Sequence, residues 1–224
     1  MRCAREARGM RRDWLGASAR AESAATGARS WLLVASLCAA FVGCSSARAP
    51  VDHFYRIEVG APSAPAAKRL DGMLKVDRFR VDALTGERQL LYKQSDDAAE
   101  IRQHPYQLWA DPPGLMLQTQ LISFLSAAQI ADVVLPATAR VEPDYEITGQ
   151  ILRLERVLEP SAHVAVELQL SAARSTRGAL LVHGSCREQR DADGEAIAAS
   201  VAAFGEAVRA CFEQFLAELG GVEP

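Results

Sequence analysis

From Ile197 to Leu219, apolar side chains return every three or four residues: Ile197, Val201, Phe204, Val208, Cys211, Phe215 and Leu219. That spacing lines one face of a helix. Residues 194–219 therefore predict a long helix whose continuous stripe has to be covered by something else in the fold. Gly220-Gly221 stops it. The segments just upstream supply the cover. In residues 162–172, Val164, Val166, Leu168 and Leu170 alternate with Ala165, Glu167, Gln169 and Ser171, the two-residue period of a strand with one core face and one wetter face. Residues 145–158 form a longer strand containing Gly149, and its alternation slips near Ile151-Leu152, which predicts a bulge. Residues 179–189 place Leu180, Val182 and Cys186 on one face. Turns at 159–161 and 174–178 join the three into an antiparallel meander.

The first half of the domain reads in shorter pieces. Strands are expected at 53–59, 72–81 and 88–93, followed by an extended piece near 100–109. The second changes apolar phase between Val76 and Phe79, another bulge signal. Asp111 is positioned to cap a helix whose first turn holds Pro112 and Pro113, where the missing N–H groups cost little. Leu117, Leu121, Phe124, Leu125 and Ala128 form its stripe, and residues 130–135 read as a strand closed by Pro136. The order of strands, helix, strands and helix predicts a single α+β domain over 52–220: a mixed, mostly antiparallel sheet with two main helices packed on it. Apolar residues make up 49% of the chain but aromatics only 6%, so aliphatic packing has to dominate that core.

Residues 1–43 differ in character. They hold seven Arg and three acids, net +4, whereas the remainder holds 18 bases and 25 acids, net −7. A basic head on an acidic body fits a targeting segment, and the acidic body argues against nucleic acid as a partner. Residues 31–42 carry no charge. Twelve residues are too few for a bilayer-spanning helix, which needs about 20, but suit the apolar region of a secretory signal. Phe41-Val42-Gly43-Cys44 resembles a bacterial lipobox, with Phe41 standing where Leu is usual. On this reading residues 1–43 are a signal peptide, Cys44 receives acyl chains, and residues 44–51 are a lipidated tether. Several chains hold a protein stably where one gives only marginal binding. An ordinary signal with an incidental Cys is the alternative. Ser45 after the lipidated Cys suggests, by analogy with lipoprotein sorting, passage to the outer membrane.

Five Cys are present. With Cys3 and Cys38 in the segment to be removed and Cys44 acylated, Cys186 and Cys211 are left in the domain. Both belong to predicted core faces, so in an oxidising periplasm they form either a disulfide or two buried thiols. No Cys-x-x-Cys, Gly-x-Ser-x-Gly or phosphate-binding glycine loop occurs, and His53, His104, His163 and His183 are scattered. No catalytic residues, metal site or cofactor are therefore expected. The aromatic, turn-rich stretch from His104 to Pro113 makes Tyr106 and Trp109 candidates for a partner surface, the alternative being that Trp109 plugs the core.

Across the domain, the pieces Phe54-Tyr55-Arg56-Ile57-Glu58-Val59, Val76-Asp77-Arg78-Phe79, Arg88-Gln89-Leu90-Leu91-Tyr92, Trp109-Ala110-Asp111-Pro112-Pro113, Asp144-Tyr145-Glu146-Ile147-Thr148-Gly149 and Ser200-Val201-Ala202-Ala203-Phe204 follow the order and spacing of a known family. The chain resembles the ABC-type transport auxiliary lipoproteins, which include paraquat-inducible protein C. The resemblance implies a non-enzymatic accessory of an ABC system for lipids or other hydrophobic cargo. It would dock, at the outer membrane, an MCE-domain protein of an inner-membrane ABC transporter. A homo-oligomer is compatible with the resemblance. The alternatives are a structural envelope lipoprotein without a transporter, and a periplasmic hydrolase with an unrecognised site.

Overall fold

A computed structural model describes residues 49–67, 70–176 and 178–221. Among these, eight strands form one sheet: β1 (His53–Tyr55), β2 (Leu70–Val76), β3 (Gln89–Lys93), β4 (Arg102–Trp109), β5 (Ala131–Pro136), β6 (Tyr145–Val157), β7 (His163–Arg174) and β8 (Leu180–Asp191). Helix α1 (Pro113–Ala127) lies between β4 and β5, and α2 (Ile197–Gly220) follows β8.

The long strand β6 is the spine of the sheet. One of its edges pairs antiparallel with β7 from Tyr145↔Arg174 to Val157↔His163, and β8 continues antiparallel on β7. Its other edge is shared. Parallel β2 takes the first stretch, Leu74↔Tyr145 to Val76↔Ile147, Arg80 bridges Gln150, and parallel β3 takes Leu91↔Glu155 to Lys93↔Val157. Strand β4 is antiparallel to β3, β1 is parallel to β4, and β5 is parallel to β2. The fold is thus α+β with a mixed sheet, as expected. The expected antiparallel majority holds for the three long strands, while the short ones join largely in parallel.

Both expected bulges occur. The register of β6 against β7 shifts between Ile151 and Arg153, leaving Leu152 as the extra residue. Between Val76↔Ile147 and Arg80↔Gln150, four steps along the first strand match three along β6. The extra residue brings Phe79 back to the core, where its ring lies over Gly149.

Helix α2 lies on β7 and β8, and α1 on β5 and β2. The predicted stripes are the buried faces. Leu117, Leu121, Phe124 and Leu125 of α1 and Phe204, Val208, Cys211, Phe215 and Leu219 of α2 are all buried. Removing such side chains from water contributes roughly 1.5–3 kcal/mol each. The Phe124 and Phe212 rings, 5.6 Å apart, join the two helices.

Two helix starts differ from expectation. Asp111 does not cap α1: Pro112 itself occupies the cap position without a side-chain hydrogen bond, so Asp111 lies one residue too early and sits 3.7 Å from Arg56 instead. Helix α2 begins at Ile197 and not near Gly194, because Gly194 has φ +100° and still belongs to the turn leaving β8. No helix among the described residues is long and apolar enough to cross a membrane.

Candidate docking surface

Cys44, the expected lipidation site, lies outside the described residues. Cys186 of β8 and Cys211 of α2 are joined in a disulfide, with Cα atoms 5.4 Å apart. Each sits on the core face its spacing indicated, so the bridge ties the last helix to the outermost long strand.

Tyr106 and Trp109 go to different places. Trp109 is a correction to the partner-surface expectation: it is 1% exposed, and its indole meets the Phe204 ring edge-on at 5.5 Å. The regular end of β4 directs it inward, under α2. Tyr106 is 45% exposed. The β3–β4 ladder is irregular around it. Gln89 pairs with Leu108 and Leu91 with Gln103, so two steps along β3 face five along β4 and the residues between bow outward. Pro105 lies in this bow and has no N–H to give a ladder. Tyr106 follows with φ +62°, a left-handed conformation that bulky residues rarely adopt.

The bow does not stand alone. Phe54 on the edge strand β1 is 56% exposed, and the Arg88 guanidinium lies 5.2 Å from its ring centroid. Arg88 is held there by donating from Nε to the Trp109 carbonyl at 2.9 Å. Phe54 pairs with Leu108, and Leu108 and Tyr106 line the same concavity, so the two aromatics flank one stretch of surface. Beside them is an open concavity of about 460 Å³ lined by Asp52, Gln89, His104, Tyr106 and Leu108 among others. The His104 ring stacks on Tyr92 at 4.2 Å, and its Nε2 is buried without a partner. Burial first, and then the positive charge of Arg156, hold this imidazole below its ordinary pKa, so it is neutral at pH 7.

Elsewhere the surface is more ordinary. A groove of about 520 Å³ separates Arg56–Gly60 from the outer side of α2 at Ala198, Ala202 and Glu206. A smaller apolar one, about 260 Å³, lies between the Pro62–Ala67 segment and Leu216, Ala217 and Gly220. Ser63 fastens that segment by donating to Glu213 from both backbone N–H and hydroxyl. On the sheet side, Arg153 bridges Asp96 and Glu155, and His163 lies 3.1 Å from Asp96, a network that pins the loop after β3.

Among the described residues, His183, Ser171 and Cys186 do not form a hydrolase triad. The His183 Nδ1 lies 2.7 Å from the Ser171 hydroxyl, a pairing produced by the Ser171↔His183 register that sequence spacing did not reveal. The other ring nitrogen faces the Gln169 amide at 3.5 Å, and both strands are exposed there, so the dyad has an amide where a hydrolase triad has a carboxylate. Cys186 is consumed by its disulfide and offers His183 no thiol. Among the described residues, no group of three or more His, Cys, Asp and Glu is placed to hold a metal ion.

The fold is similar to solved structures of low sequence identity. A Xanthomonas campestris protein of the DUF330 family superposes with TM-score 0.66 at 16% identity, covering 74% of this chain and 93% of that one. An uncharacterized protein gives TM-score 0.51 at 13% identity, covering 76% and 97%. PelC of Paraburkholderia phytofirmans, described as a dodecamer, gives 0.41 at 14% identity, covering 73% and 96%. No curated protein sequence matches the chain. Residues 55–215 match the family described as the ABC-type transport auxiliary lipoprotein component.

Proposed function

This chain belongs to the ABC-type transport auxiliary lipoprotein family, and on that premise we propose that it is an outer-membrane-anchored periplasmic subunit that docks an MCE-type protein of an inner-membrane ABC transporter for lipids or other hydrophobic cargo. The observation that carries the reading is the family match, which spans the sheet from β1 to the last turns of α2. The lipobox-like Phe41-Val42-Gly43-Cys44 supplies an anchor, and Ser45 favours the outer membrane by the sorting analogy. The role is one of binding and positioning. It asks for surface and attachment, and the described residues offer open concavities and exposed aromatics where an enzyme would need converged acids, bases or nucleophiles.

Anchoring and docking are tested separately. Cells grown with radioactive fatty acid should label the wild-type protein and not Cys44→Ala. Equal label in both, or none in either, sinks the anchor. Affinity purification from solubilised membranes should recover an MCE-domain protein with the folded bait. Recovery of folded bait with no such partner would reject the docking role.

A further inference from the structure

We propose that the Phe54–Tyr106 patch is a membrane-resting face: the side of the domain that lies in the headgroup layer of the bilayer to which Cys44 is attached. The inference rests on the lipid-anchor reading and specifies what that anchor orients.

Three observations converge. The first is composition. Val51, Phe54 and Tyr106 are 69%, 56% and 45% exposed, and Arg88 covers the Phe54 ring. Exposed aromatic side chains with a polar tip or a neighbouring guanidinium are the groups that partition to the membrane interface. An acid, Asp52, lines the neighbouring concavity, and a base, Arg88, lies over Phe54. A zwitterionic headgroup layer presents both complementary partners, an ammonium and a phosphate.

The second is reach. Seven Cα–Cα steps separate Cys44 from Val51. Fully extended they span at most about 25 Å. Val51 lies two residues before β1, and Phe54 is on β1. The patch is therefore the part of the domain the anchor keeps nearest the bilayer. Leu180, 64% exposed on β8, belongs to the opposite side of the sheet, with β4, β3, β6 and β7 between it and β1. Five strand spacings put it about 24 Å away across the strands.

The third is strain. Tyr106 holds φ +62° in a bow that breaks the β3–β4 ladder, and its side chain is exposed there. Left-handed conformations of non-glycine residues cost on the order of 1–2 kcal/mol and are enriched at functional sites.

The test uses the full-length acylated protein in phosphatidylethanolamine–phosphatidylglycerol vesicles whose acyl chains carry bromine, which quenches nearby tryptophan. Phe54→Trp, Tyr106→Trp and Leu180→Trp are compared with the parent chain, whose Trp109 is buried. All three substitutions are at exposed positions, and unchanged melting temperatures verify that the variants fold. The expected result is about twofold quenching of the added fluorescence at 54 and 106, with none at 180. Floating protein with no quenching at 54 and 106 overturns the proposal and gives the patch to a protein partner. Equal quenching at all three positions overturns it as well, since the domain then has no preferred face. Flotation separates this outcome from failure of the anchor. If the parent floats no better than Cys44→Ala and neither is quenched, both readings fall. If both float and both are quenched at 54 and 106, the resting face stands and the anchor at Cys44 falls.

Discussion

At Gly205 the chain has no room for a methyl group. A Cβ there would lie 2.6 Å from the Glu58 carbonyl oxygen, because α2 presses directly on the extended segment after β1. Gly205→Ala has to push helix or segment aside, and overpacking of this kind costs about 1–3 kcal/mol. The melting midpoint is expected to fall by several degrees; an unchanged midpoint would mean the two elements part easily. His104 makes a second point. Its imidazole is held below its ordinary pKa by burial and by Arg156, so the unfolded chain takes up this proton before the folded one does. The folded state binds fewer protons in that interval, so stability declines as pH falls through the ordinary histidine value near 6.5 and towards the lower folded value. Urea midpoints measured at pH 7.5, 6.5 and 5.5 should drop with acidification, and His104→Phe should flatten the slope over that range. The pair Tyr106 and Trp109 shows what was hidden at this scale. Both are aromatic, three residues apart, and an uninterrupted strand would have put them on opposite sides. The sequence marked the stretch as unusual through Pro105 and its aromatics, but the bow itself, two steps along β3 against five along β4, is set by long-range pairing.

Elements whose signal is local were legible. The alternation of β7, the slip at Leu152 in β6 and the stripes of both helices depend on neighbours a few residues away, and they appear where the periodicity put them. Parallel pairing carries no such local mark. That β2 and β3 share one edge of β6 is decided by partners more than 60 residues downstream, for example Leu91 and Glu155 or Leu74 and Tyr145. The disulfide lies between these cases: core-facing phases of Cys186 and Cys211 were readable, but their mutual distance was not. Their sequence separation is 25 residues. Closing a loop of that length restricts the unfolded chain by about 3 kcal/mol in the chain-entropy picture. Denaturation with and without reductant, alongside the double variant Cys186→Ser/Cys211→Ser, should give equal losses of about that size in the reduced and substituted proteins. A native-like midpoint for both would assign the bridge no stabilising role.

For the whole molecule, the organising fact is that β6 comes late in the chain and joins almost everything. Strands β2 and β3 hydrogen-bond to it directly, β4 and β5 reach it through them, and β7 covers its other edge. Until Tyr145–Val157 is present, β2 and β3 have no common edge. A fragment ending at Pro143 is accordingly expected to be cut by protease at concentrations that leave the complete domain intact, and resistance of the fragment would show that its five strands form a sheet of their own. The same dependence bears on how a member of a lipoprotein family crosses a membrane. A polypeptide threaded through a secretion channel has to stay unfolded until it has passed, and one whose early strands fold promptly jams. Here β2 and β3 have to wait for a segment that begins about 90 residues after β1 does. In a chain that crosses a membrane unfolded, such wiring delays the sheet until residues 145–157 have followed.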